Sequence, residues 1–151
     1  MVWGCFTTQG IGNLVRIEDT LNAHLYVDIL KDDLLGTLNW YALDKTDIVF
    51  QHDNDPKHTA KITTEWLANE DIEVLAWPPQ SPDLNPIATL WAWFKFRLSD
   101  YETPASIIHE LWERAQDVWN GFTEDECIML IEGMPARVAA VISAKGGYTK
   151  F

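Results

Sequence analysis

The stretch DIVFQHD, residues 47 to 53, constrains the fold most. Ile48, Val49 and Phe50 read as strand and give way to polar residues that leave Asp53 at its C-terminal end. NDPKHTAKITTEWLANE then opens at a proline-marked turn and continues as a helix with Ile62, Trp66 and Leu67 on one side. IEVLAW, residues 72 to 77, is a further strand, stopped by Pro78 and Pro79. Upstream, MVWGCF and IGNLVRIE flank the turn TTQG as a β-hairpin over residues 1–18. Between hairpin and DIVFQHD, Leu21, Leu25, Ile29, Leu30 and Leu34 recur at helical spacing behind Thr20 as N-cap, and the helix is expected to close near Gly36. Strand, strand, helix, strand, helix, strand is the order of a mixed α/β sheet.

The remainder reads as helix. Asn85 and Pro86 start a helix over 86–99 with Ile87, Leu90, Trp91, Phe94 and Leu98 in one apolar stripe. Thr103 and Pro104 start the next, with Ile107, Ile108, Leu111, Ala115 and Val118 expected to face inward. Thr123 and Glu126 stand at capping-box spacing ahead of a last helical region that ends at Gly146 and Gly147. The expected organisation is one domain over 1–151: hairpin 1–18, α/β core 20–99 and C-terminal helices 103–147.

Eleven basic against twenty-three acidic side chains give a net charge of −12, the wrong sign for gripping phosphates by electrostatics alone. No apolar run is long enough to span a membrane, and MVWGCFTTQG carries no export signal, so an intracellular place is expected. Cys5 and Cys127 are too few and too far apart for a metal pair or a disulfide framework, and read as plain buried thiols. Trp66, Trp77, Trp91, Trp112 and Trp119 fall on apolar stripes or strand ends and read as core rather than as a base-stacking surface.

Two readings of Asp53 stand side by side. A carboxylate at the C-terminal end of a strand is where open α/β sheets place functional groups. Asp53, Asn54 and Asp55 are equally the residues that a strand-to-helix turn uses for its own backbone bonds. His52 and His58 flank the same turn as ligand or acid/base candidates, or as partly exposed polar residues. Ser81 lacks an adjacent base in sequence, and with Asp83 it is expected to satisfy loop backbone donors.

Taken together, MVWGCF, FQHDNDPKHT, WPPQSPDLNPI with the following LW, and MPARVAAVISAKGGYTKF resemble the catalytic domain of Tc/mariner-type transposases. These are DDE endonucleases with an RNase H-like fold. The resemblance implies an RNase H-like mixed sheet lacking its first central strand, with helices on its faces and a helical C-terminal third. It further implies three acids that hold two divalent cations, Mg²⁺ or Mn²⁺, for displacement at a DNA phosphate. The second acid falls on Asp53; the third, normally a glutamate in NPIE or an aspartate, falls thirty-four intervening residues later on Ala88. The first belongs to a strand expected ahead of MVWGC. Asp55, Asp83 or a carboxylate from another molecule are the possible substitutes.

Metal binding is therefore expected to be weak or absent and the polypeptide alone not to cleave or join DNA. DNA is the family's partner, bound weakly here without a family-type N-terminal DNA-binding region, in the nucleus if the host is eukaryotic. The alternative is a non-catalytic module that binds transposase subunits or other proteins, or pairs as a homo-oligomer; a third reading is a nuclease completed in trans. MPARV carries Arg137 after Ala136 where the family usually has two adjacent arginines, and LWAWFKFRL sets Phe94 and Phe96 around Lys95 in a usually more basic helix. A sheet without its first strand leaves two alternatives to a marginally stable fragment: its flanking strands pair directly, or another chain supplies one.

Overall fold

The computed structural model describes residues 1–76, 78, 81–147 and 149–150. The chain divides into two compact units, one of residues 1–3 and 17–81, the other of 4–16 and 82–151. Trp77 lies outside the described residues.

In the first unit, α1 (Ala23–Ile29) passes through one π-helical turn, Leu30–Leu34, into α2 (Leu35–Trp40). Asn22, not Thr20, is the N-cap: its side chain accepts from Leu25 N–H at 3.0 Å. The helix also runs past Gly36. It stops at Ala42, which takes a φ of 51° while Leu43 N–H donates back to Leu38 O, so the left-handed closing position is not the glycine.

Strands β3 (Val49–Phe50) and β4 (Glu73–Val74) pair in parallel, Val49 opposite Glu73 and Phe50 opposite Val74, with α3 (Lys61–Asn69) as the crossover. Both strands are shorter than their sequence signals, and α3 begins only at Lys61. Residues between β3 and α3 are held as turns by Asp53 and Asp55, whose side chains accept from the backbone N–H groups of Asp55 and Lys57. Tyr26, Val27, Leu30, Leu34, Phe50, Leu67 and Ile72 are among the buried residues of this unit.

The hairpin strands β1 (Val2–Thr7) and β2 (Gly10–Arg16) turn at Thr8 and Gln9, and Gly10 supplies the φ of 139°. Each sheet holds two strands among the described residues, so direct pairing of the hairpin with β3 is not found. In the second unit α4 (Pro86–Ser99), α5 (Ile108–Asn120), α6 (Glu124–Glu132) and α7 (Met134–Ser143) follow in order. Leu90, Phe94, Ala115, Trp119, Phe122 and Leu130 form the core, with Phe6, Ile11 and Leu14 of the hairpin packed against it. Trp119 stacks on Trp91 at 4.9 Å and donates from its indole to Gly12 O at 2.8 Å.

Two helix boundaries differ from the sequence pattern. Thr103 and Pro104 do not start α5; Ser106 N–H is taken by the Glu110 side chain at 2.7 Å, the helix starts at Ile108, and Ile107, Ile108 and Leu111 are exposed. Ala115 is buried and Val118 packs against the core as expected, and Trp119 joins them on the inward face. The last helical region breaks at Gly133, just ahead of Pro135, which lacks a backbone donor. The Thr123 and Glu126 capping box is present, and Cys5 and Cys127 are buried free thiols. No helix among the described residues is long and apolar enough to cross a membrane.

Candidate functional site

Asp53 lies just beyond the C-terminal end of β3, with its side chain 58% exposed. His58 Nδ1 is 2.7 Å from Asp53 Oδ1. Because a carboxylate only accepts, Nδ1 carries the proton in this bond. The same Oδ1 accepts from Asp55 N–H at 3.0 Å. Asp53 therefore performs the turn chemistry that one reading of the sequence assigned to it.

Behind this turn stands a ring stack that local sequence did not reveal. The hydroxyl of buried Tyr26 shares a 2.9 Å hydrogen bond with His52 Nδ1, and the His58 ring lies 4.1 Å from the Tyr26 ring. His52 and His58 stack nearly parallel with centroids 5.2 Å apart. Burial, and then the neighbouring His58, push the His52 imidazole down to about 4 against the opposing pull of Asp53, so His52 is neutral at pH 7. Tyr26 stands on α1, twenty-six positions before His52, and no short-range pattern announces the pairing.

Asp55 is committed as well. Lys57 Nζ lies 2.7 Å from Asp55 Oδ1. Burial raises the Asp55 carboxyl, but its side-chain and backbone bonds with Lys57 prevail and hold it below the usual value.

In the second unit, Pro82–Leu84 make one 3₁₀ turn and Pro86 stands in the first turn of α4 behind Asn85. Asn85 occupies the N-cap place without a side-chain capping bond, and the first turn of α4 carries no acid. Ala88 faces solvent there, its N–H donating to Asn85 O at 3.0 Å. Asp83 does not serve its own loop: Oδ2 accepts from Thr149 N–H at 2.9 Å and from the Thr149 hydroxyl at 2.7 Å. Arg137, 6% exposed, donates to Asp83 O at 3.0 Å and to Thr89 Oγ1 at 2.8 Å. Burial draws its guanidinium below the ordinary value, opposed by the charge of Asp83.

Two cations side by side need several carboxylates converging from different elements. Among the described residues no group of three or more His, Cys, Asp or Glu side chains is placed to hold a metal ion. The residues present do not fit a two-cation clamp: Asp53 and Asp55 are bonded into their turn, Asp83 into Thr149, and position 88 offers a methyl group.

Residues 1–110 match the DDE superfamily endonuclease family. The transposase of transposable element Tcb2 from Caenorhabditis briggsae is 37% identical over 153 residues, covering 100% of this chain and 54% of that protein. The Tc1 transposase of Caenorhabditis elegans is likewise 37% identical over 153 residues, with the same coverage of 100% and 54%. The chain thus spans about half the length of the curated relatives it matches. Among solved structures, the Mos1 transposase catalytic domain with Raltegravir and Mn aligns with a TM-score of 0.84 at 24% identity, over 99% of this chain and 76% of that one. The fold is the RNase H-like α/β arrangement expected from the sequence.

Proposed function

The chain belongs to the DDE superfamily endonucleases, as a domain of Tc1/mariner transposase type, and from that premise we propose that it is a transposase-derived domain whose metal-dependent DNA cleavage and joining have been lost. Position 88 carries the reading. A glutamate in the first turn of α4, exposed as Ala88 is, would present its carboxylate to a solvent-borne cation; a methyl group has nothing to offer a hard metal ion. Asp53, the one acid of the family pattern placed on this chain, is left to hold its turn.

The net charge of −12 supports weak autonomous DNA binding, and any DNA partner would be engaged through another domain or subunit, in the nucleus of a eukaryotic host. The test is nicking of supercoiled plasmid in Mg²⁺ or Mn²⁺. We expect the chain and its Asp53→Ala variant to be equally silent; nicking that survives purification and disappears in Asp53→Ala would overturn the proposal. In the reverse direction, Ala88→Glu is expected to raise Mn²⁺ affinity about tenfold by calorimetry, the scale of one well-placed ligand.

A second reading, an interaction module for transposase subunits, is favoured by one observation. Ile107 and Ile108 are each 63% exposed at the start of α5, and Leu111, 44% exposed, lines a groove with Leu98, Tyr101 and Pro104. Co-elution with an intact Tc1-type transposase, abolished by Ile108→Glu, is the result this reading requires.

A further inference from the structure

At the start of α4 the local devices that usually fix a helix N-terminus reduce to Pro86 in the first turn: Asn85 makes no side-chain capping bond, and no acid stands there. Yet this short junction carries position 88. What spans it is a side chain from α7. The two donor nitrogens of Arg137 reach acceptors on either side of the junction, Asp83 O before it and Thr89 Oγ1 after it.

We infer that Arg137 is a positioning residue for position 88, clamping the Pro82–Leu84 turn and the first turn of α4 into one register. A guanidinium suits this because its donors form a rigid planar fork, which fixes the separation of the two acceptors; an ammonium on a flexible stem fixes none. Burial strengthens the clamp, since both bonds are made by a charged donor group held largely away from competing water. The clamp has a second tie: Asp83, whose carbonyl Arg137 holds, is also fixed through its carboxylate by Thr149. Residues 149, 83, 137 and 89 thereby form a continuous chain of bonds along the segment that presents residue 88. The assignment rests on the reading of position 88 as the place of the family acid.

Hydrogen exchange read by mass spectrometry on the full chain tests the clamp. Arg137→Met, and independently Thr89→Val, should speed exchange across residues 84–90 at least tenfold while α5 and α6 keep wild-type protection. Arg137→Lys should restore only part of it. Thr89→Val retains the buried charge and answers the question if Arg137→Met does not fold. A uniform loss of protection over the whole unit, or unchanged exchange at 84–90 in Thr89→Val, overturns the inference. In an Ala88→Glu background, adding Thr89→Val should cost at least fivefold in Mn²⁺ affinity; no cost there overturns the positioning role with the reading of position 88 intact. If Ala88→Glu alone gains no Mn²⁺ affinity, the reading of position 88 falls and the purpose given to Arg137 falls with it. The exchange signature at 84–90 would persist in that case, which tells the two failures apart.

Discussion

His58 holds Asp53 through a 2.7 Å bond from Nδ1 to the carboxylate, and Asp53 in turn receives the N–H of Asp55. Each bond is local and partly exposed, so each contributes on the order of 1 kcal/mol or less. Asp53→Ala is expected to lower stability by about 1 kcal/mol in urea unfolding, whereas Asp53→Asn, which keeps an acceptor oxygen, costs about half of that. Millimolar Mn²⁺ should leave the melting temperature of the wild-type chain unchanged; a clear rise would mean that the folded state binds the ion and would count against the loss of the metal centre.

Gly4 faces the aromatic core at a distance no side chain tolerates. A Cβ there would lie 2.7 Å from Trp119 Cζ2, 2.8 Å from Cη2 and 3.2 Å from Trp91 Cη2. Trp119 is itself 1% exposed and cannot swing away without giving up its bond to Gly12 O. Gly4→Ala should therefore destabilise by about 1 to 3 kcal/mol, the usual cost of overpacking. A second change, Trp119→Phe, should relieve the clash and make the pair less than additive in a double-mutant cycle.

Glu126 serves two partners at once. Its carboxylate accepts from Thr123 N–H at 2.9 Å and pairs with Arg97 of α4. Those bonds outweigh burial and hold its carboxyl below the usual glutamate value. Thr123→Ala should cost about 1 kcal/mol, the worth of a helix cap, and Glu126→Gln less than Glu126→Ala because the amide oxygen still accepts. The depressed carboxyl also fixes a sign: its contribution is present above the unfolded glutamate value and is lost as pH falls through the folded one. Chemical denaturation of wild type and Glu126→Gln should converge in acid and separate near neutrality.

Cys127 is fully buried, and burial, with Glu126 and Glu124 adding to it, pushes its thiol up to about 11 from 9.0. The unfolded chain gives up this proton first, so the contribution to stability is intact below pH 9 and declines from there toward pH 11. By the size of the shift the decline is about 2 kcal/mol by pH 11, discounted for relaxation. The difference between wild type and Cys127→Ala in urea midpoint, followed from pH 8 to pH 10.5, should shrink as pH rises. Iodoacetamide at pH 8 should leave Cys127 unmodified in the folded protein; rapid alkylation would show an accessible thiolate.

What could be read from the sequence was short-range. The hairpin around Thr8 and Gln9, the apolar stripe of Leu90 and Phe94, the bounds of α4 and the capping box of Thr123 with Glu126 each depend on residues within a few positions of one another, so spacing alone specifies them. The placement of Asp53 behind a strand and of Ala88 in the first turn of a helix was legible for the same reason. Where a side chain outside the pattern took over a backbone group, the sequence misled. Glu110 took Ser106 N–H and moved the start of α5, and Ala42 rather than Gly36 adopted the left-handed closing position.

Only the tertiary structure decided which polar groups find one another. Tyr26 meets His52 and His58, Asp83 meets Thr149, and Arg137 spans Asp83 and Thr89 across separations of twenty-six to sixty-six residues. Sequence spacing carries no information at that range, because a buried donor must be satisfied but does not specify by whom. The sequence by itself determined that position 88 keeps its helix and lacks a carboxylate. The folded chain decided that the remaining acids, Asp53, Asp55 and Asp83, are bound to neighbours of their own.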